Sequence, residues 1–185
     1  DKPQIFEQIE QAGLKFGSIS AMNAENRLKN PAFFIPDPWT KTPSDGSFWG
    51  KSLGEAVSQA VNDNSQARIT VKTAAQIFLA LFRFARPKHY LRYFKYIFSS
   101  RKMPWLKPLF LDLLLHDVHW SFFRNRKPNF STLFLNAGAH LQHHYFFNAQ
   151  PLRESMAIKN PAWYIKECAD PLVDVLELYD LICGE

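Results

Sequence analysis

The chain has 185 residues, 46% apolar and 15% aromatic, enough to bury a core as one domain and too hydrophobic for a disordered segment. A net charge of +5 and a pI near 9.2 make phosphates, acidic lipid surfaces and acidic substrates natural partners. No uninterrupted apolar run reaches the roughly eighteen residues needed to cross a bilayer, and the N-terminus lacks the basic-then-apolar pattern of a signal peptide.

Ile5, Phe6, Ile9 and Ala12 recur at helical spacing and Gly13 stops the pattern. Leu14 to Met22 then alternates loosely and suits a strand. Helix, glycine, strand is half of a βαβ unit and points to an α/β sheet. From Asn23 to Lys51 the chain is rich in proline, glycine and aromatics, and Pro31, Pro36, Pro38 and Pro43 forbid a long helix. Phe33 to Trp39 is apolar enough for a buried edge strand and turn, with Asp37 as turn cap and Trp39 as packed anchor.

A helical block follows. Leu53, Ala56, Val57, Ala60 and Val61 form a short amphipathic helix ended by Asn62-Asp63-Asn64. Ile77, Phe78, Leu81 and Phe82 share one side of a second helix, from about Ile69 to Ala85, broken by Arg86-Pro87. Tyr90, Leu91, Phe94, Ile97 and Phe98 oppose Arg92 and Lys95 on a third, Lys88 to Ser99. A long helix then runs from Leu109 to Phe123. Between Arg68 and Lys127 there are thirteen Lys/Arg against two acids, so the rest of the chain is net acidic. Aromatics at core spacing predict that the apolar faces pack inward while the charged faces are solvated. The same composition would also suit contact with nucleic acid or lipid headgroups.

Phe130 to Leu135 is the clearest strand and is expected to be buried, which discounts the glycosylation sequon at Asn129. Beyond it stand Asn136-Ala137-Gly138-Ala139-His140 and then His143 and His144. Ligands of open α/β sheets bind just past the carboxyl ends of strands. On a helix, His140 and His144 share a face and are suited to hold a metal, with Asn136 supplying an oxygen and Gly138 letting backbone crowd the ion. His116 and His119, flanking Asp117, form a second possible pair near a helix end, and His89 reads as a surface residue. Asp170-Pro171 caps a last helix with Leu172, Val173, Leu176, Tyr179 and Ile182 on its apolar face. Cys168 and Cys183, fifteen residues apart, are too distant on most helical geometries to bridge, so reduced buried thiols in a cytosolic setting are expected. The chain opens at a helix and ends just past another, as an internal fragment would.

A strand ending in a ligand, small residues, then His four places on resembles the Asp-x-x-Gly-His-type motif of the alkaline phosphatase superfamily, in particular its type I phosphodiesterase/nucleotide pyrophosphatase-like members. Glu7 to Ser20 resembles that family's helix-Ala-Gly-strand unit, Phe33 to Trp39 the loop after it, and Asp170 to Ile182 a later helix. The resemblance implies a partial alkaline phosphatase-like α/β sheet over residues 1–185, with a basic helical insertion over 53–127. It implies Asn136 and His140 as metal residues, His143 and His144 beside them, and a divalent metal, zinc first, with manganese or magnesium as alternatives. The substrate class would be a small phosphate or sulfate ester. Asn136 stands where the family has aspartate, which weakens affinity for a divalent ion. The family's nucleophile and remaining ligands would lie outside this chain, leaving it inactive in isolation. His140-x-x-His143-His144 also has the form of a desaturase histidine box, but six histidines and no spanning run exclude that reading. Two alternatives remain open. One is a non-enzymatic module binding nucleic acid or anionic lipid through its basic aromatic helices. The other is a pseudoenzyme that has lost its metal.

Overall fold

The computed structural model describes residues 2–62, 69–149, 160–161, 163, 165 and 169–185. The fold is mixed α/β. In chain order the elements are α1 (Ile5–Gln11), β1 (Phe16–Ile19), β2 (Phe33–Ile35), α2 (Phe48–Asn62), α3 (Val71–Phe84), α4 (Tyr90–Ser99), α5 (Leu106–Arg126), β3 (Phe130–Leu133), α6 (Ala137–Tyr145) and α7 (Pro171–Cys183). By contacts the chain divides into two units, Asp1–Ala85 with Asp117–Phe134, and Arg86–His116 with Leu135–Glu185.

The first unit is built on a parallel sheet of order β2-β1-β3, with Gly17 opposite both Phe33 and Ser131. Gly13 adopts φ +75° and ends α1 as expected, its N–H reaching the Glu10 carbonyl while Leu14 N–H reaches that of Ile9. The chain therefore turns straight into β1. Every residue of β1 and β2 is buried, as parallel strands covered on both faces require. Gly17 is needed here, because a Cβ would fall 2.4 Å from the Phe33 ring. β3 departs from expectation. It lies at a sheet edge with Phe130 exposed and the rest half-buried, so the sequon argument from burial does not hold.

Asp37 does cap its turn, accepting from Asn23 N, Trp39 N and the Thr40 hydroxyl at 3.0, 2.8 and 2.6 Å. Trp39 is exposed and anchors nothing. α2 begins five residues before Leu53 because Asp45 and Ser47 build an N-terminal cap, with Gly50 N–H bonded to Ser47 Oγ at 3.1 Å. The predicted stop at Asp63-Asn64 lies outside the described residues.

Aromatic rings continue from the sheet. Phe122 meets both Phe33 and Phe84, at 5.5 and 5.6 Å between centroids, and Trp49 closes on Phe84 at 5.0 Å. Arg126 ties this layer together. It donates to Asp45 Oδ2 at 2.6 Å and the Ala32 carbonyl at 3.1 Å, with its guanidinium 4.2 Å over Phe122.

In the second unit, the part of α5 up to His116 is apolar around most of its circumference, and Leu106, Leu109, Leu113, Leu114 and Leu115 are all buried. Trp105 sits against Tyr145 and donates to Asp174 at 2.7 Å, and Tyr93 packs edge-on against Phe110. Asp170 accepts from Leu172 N and Pro171 opens α7, as expected. Cys183 is exposed rather than buried, and Cys168 lies outside the described residues.

The inward-facing expectation is overturned for α4 and holds only in part for α3, where Ile77 and Leu81 are half-buried. α3 buries Thr73, Ala80 and Phe84 and turns Phe78, Leu79 and Phe82 outward. α4 buries Tyr93 and Tyr96 and exposes its aliphatic and phenylalanine face.

Removing Arg126 strands a buried Asp45 carboxylate. Arg126→Ala is expected to cost about 2–3 kcal/mol in urea unfolding, less than a fully buried pair because the arginine is partly solvated. Arg126→Lys should recover only part of this, since an ammonium cannot match the planar fork over Phe122. Equal stability of Arg126→Ala and wild type would refute the role.

Candidate functional site

The site builds from the start of α6, within the second unit. A helix N-terminus leaves backbone N–H groups without partners, and here a side chain from another helix supplies them. Asp112 of α5 accepts from Asn136 N at 3.2 Å and Ala137 N at 2.8 Å. Tyr179 of α7 donates its hydroxyl to Asp112 Oδ2 at 2.8 Å and accepts from Gly138 N at 2.8 Å. Asn136 occupies the N-cap position, yet its own side chain does not cap the helix. Gly138 has a different purpose from the one expected. A Cβ there would lie 3.0 Å from the Tyr179 ring, so glycine makes room for the tyrosine rather than for an ion.

Burial pushes the Asp112 carboxyl up to about 6, against the hydrogen bonds from Ala137, Tyr179 and Asn136, which favour the ionised form. Burial also raises Tyr179, and the neighbouring Asp112 charge adds to this. Neither residue was marked by the sequence as a site residue.

The expected metal residues sit around this cap. Asn136 and His140 belong to the first turn of α6, joined by a His140 N to Asn136 O bond of 3.0 Å. His140 is half-buried, and its pKa is lowered by burial and then by His144 and His143, which favours a neutral imidazole. The His140 and His144 rings approach to 4.5 Å between centroids, so the four-residue spacing does bring them together. His143 and His144 are exposed. Among the described residues, no group of three or more His, Cys, Asp or Glu is placed to share a metal ion.

The other histidines behave differently from expectation. His116 and Asp117 are buried in mid-helix rather than at a solvated helix end. His116 bonds Glu185 at 2.9 Å, while His119 bonds Ser131 Oγ at 3.0 Å, so the two do not act as a pair. His89 is only 1% exposed, not a surface residue, and bonds the other Glu185 oxygen at 2.9 Å. Arg86 and Lys88 also pair with Glu185. Burial opposes ionisation of this carboxylate, but Lys88, His116, His89 and Arg86 outweigh it and hold the pKa well below the usual range.

In the first unit, Ser20 stands at the carboxyl end of the central strand with φ +56°. Among the described residues, its hydroxyl is the one buried side-chain nitrogen or oxygen without a hydrogen-bond partner.

No family model, curated protein or solved structure matches the chain.

The Asp112 cap makes a prediction whose sign is fixed. The folded pKa lies above the ordinary 3.8, so the folded state holds this proton more tightly. The resulting stability is full below about pH 4 and is lost as pH rises through about 6. Relative to Asp112→Asn, the wild type should lose up to about 3 kcal/mol between pH 4 and pH 7. Parallel profiles for the two proteins in urea unfolding would contradict the assignment.

Proposed function

We propose that this chain is part of a metal-dependent hydrolase of phosphate or sulfate esters, of the type I phosphodiesterase/nucleotide pyrophosphatase-like kind within the alkaline phosphatase superfamily. The observation that carries the reading is the Asn136–His140 turn: an amide oxygen donor and a half-buried imidazole at one helix start, three residues after β3 ends. Burial favours the neutral form of His140, the form in which imidazole is a ligand. The parallel β2-β1-β3 sheet, entered from α1 through Gly13, is consistent with a partial alkaline phosphatase-like sheet carrying a helical insertion.

The residues present fit part of a metal centre. Asn136 and His140 would hold the ion, with His144 adjacent. A divalent metal, zinc first and manganese or magnesium next, would supply Lewis-acid polarisation of a phosphoryl oxygen. The chain's own contribution is positioning. Asp112 and Tyr179 fix the first turn of α6 and so fix where Asn136 and His140 project. The remaining ligands and the nucleophile are assigned to residues outside this chain, so the chain alone should not turn over substrate.

Asn136 also motivates a second reading, a pseudoenzyme that keeps the turn without the metal. Zinc titration by calorimetry separates the two. On the hydrolase reading the wild type binds one ion, His140→Ala weakens binding at least about tenfold, comparable to the cost of disturbing ligand geometry, and Asn136→Asp tightens it. On the pseudoenzyme reading only Asn136→Asp binds. Zinc binding indifferent to both substitutions removes the site. Metal-dependent hydrolysis of a nitrophenyl phosphate diester by this chain, lost in His140→Ala, would overturn the assignment of the nucleophile elsewhere.

A further inference from the structure

We infer that α4 is an interfacial helix that lies on anionic lipid bilayers. Its packing is inverted relative to an ordinary amphipathic helix, with Tyr93 and Tyr96 inside while Tyr90, Leu91, Phe94, Ile97 and Phe98 face solvent. At 3.6 residues per turn these five cover an arc of about 120°. The exposure is large, 84% for Leu91 and 77% for Phe98, with Phe94 and Phe98 stacked at 6.2 Å. Contiguous apolar surface of this kind marks an interaction face.

Charge selects the occupant. No acid occurs between Asn64 and Leu111, while Lys95 borders the apolar arc and Arg101 and Lys102 follow the helix. An apolar face with cationic borders matches a bilayer whose headgroups are negative and whose interior accepts Leu and Phe. A second copy of the chain would bring the same charge to the contact. Nucleic acid would satisfy the cations and stack on phenylalanine, but it offers nothing to the aliphatic Leu91 and Ile97. Spanning is excluded for this helix, since its ten residues reach about 15 Å, half of a hydrocarbon core. No helix among the described residues is long and apolar enough to cross.

α3 carries the same pattern independently. Phe82 is 87% exposed, Val71, Phe78 and Leu79 are exposed with it, and Arg83 flanks them, while Lys72 is paired with Glu55.

The test is flotation of the full chain with vesicles of phosphatidylcholine alone or with about 30% phosphatidylserine. The expected result is flotation with the anionic vesicles, at least about tenfold weaker partitioning to the neutral ones, and release by high salt. Leu91→Ser with Phe98→Ser should reduce partitioning at least about tenfold while circular dichroism stays that of wild type, because both side chains are largely exposed. Lys95→Ala should reduce it roughly fivefold, without altering the apolar face. Absence of flotation with both vesicles overturns the inference, as does a Leu91→Ser/Phe98→Ser protein that floats like wild type. Two further outcomes also overturn it. One is a dimer in gel filtration that the same double substitution dissociates, which would make the face a self-association surface. The other is single-stranded DNA binding that the double substitution abolishes while vesicles are ignored.

Discussion

The second unit depends on one buried carboxylate. Asp112 takes two N–H groups from the start of α6 and the hydroxyl of Tyr179, so three helices meet at a single charged side chain. The arrangement is favourable because a helix N-terminus carries partial positive charge and leaves donors unpaired. It is costly because the carboxylate is almost fully buried. The balance leaves a group that titrates near 6, ionised for the most part at neutral pH. That balance fixes the first turn of α6, and with it the positions of Asn136 and His140. Gly138 completes the design by admitting the Tyr179 ring, and the tyrosine in turn satisfies the Gly138 N–H.

What was legible in the sequence was local. The Gly13 stop, the Asp170-Pro171 opening of α7 and the His140–His144 approach each depend on residues within about five positions of one another. The Asp112 cap was not legible, because its partners lie 24, 25 and 67 residues away and an aspartate within an apolar helix carries no local signal of what it faces. Asn136 shows the limit from the other side. It has the residue type and position of a capping residue, yet a distant carboxylate does the capping. That leaves the amide of Asn136 out of the cap, which is why its oxygen remains available to the metal reading. Ser20 was equally silent. Its buried, unpartnered hydroxyl sits just past the end of β1 with a left-handed backbone, neither of which a serine within the predicted strand from Leu14 to Met22 announces.

Periodicity identifies a face but not the direction in which it points. In α4, and for Phe78 and Phe82 of α3, the sequence marks the apolar residues correctly and the structure turns them outward. The side chains that take the inner positions of α4 are tyrosines, which pair an apolar ring with a hydroxyl able to find a partner. Arg92 bonds that of Tyr96, whose pKa burial nonetheless raises. An aromatic with a polar tip suits a helix that must bury one side against its own unit and offer the other to something less polar than water.

The basic stretch is less uniform than its composition suggests, and this bears on where an anionic surface can be met. Arg86 and Lys88 are paired with the buried Glu185 carboxylate, which also takes bonds from His89 and His116. One acid distant in sequence therefore compensates the cations at the entry to α4. A charge held in such a cluster contributes little to a field felt at the surface, since its partner lies within contact distance. Beside and after the apolar arc of α4, Lys95, Arg101 and Lys102 are exposed and act outward. The pairing of Glu185 thus concentrates the outward positive charge along the helix whose apolar face is already turned to solvent, so the electrostatic and hydrophobic terms of surface binding fall on the same element.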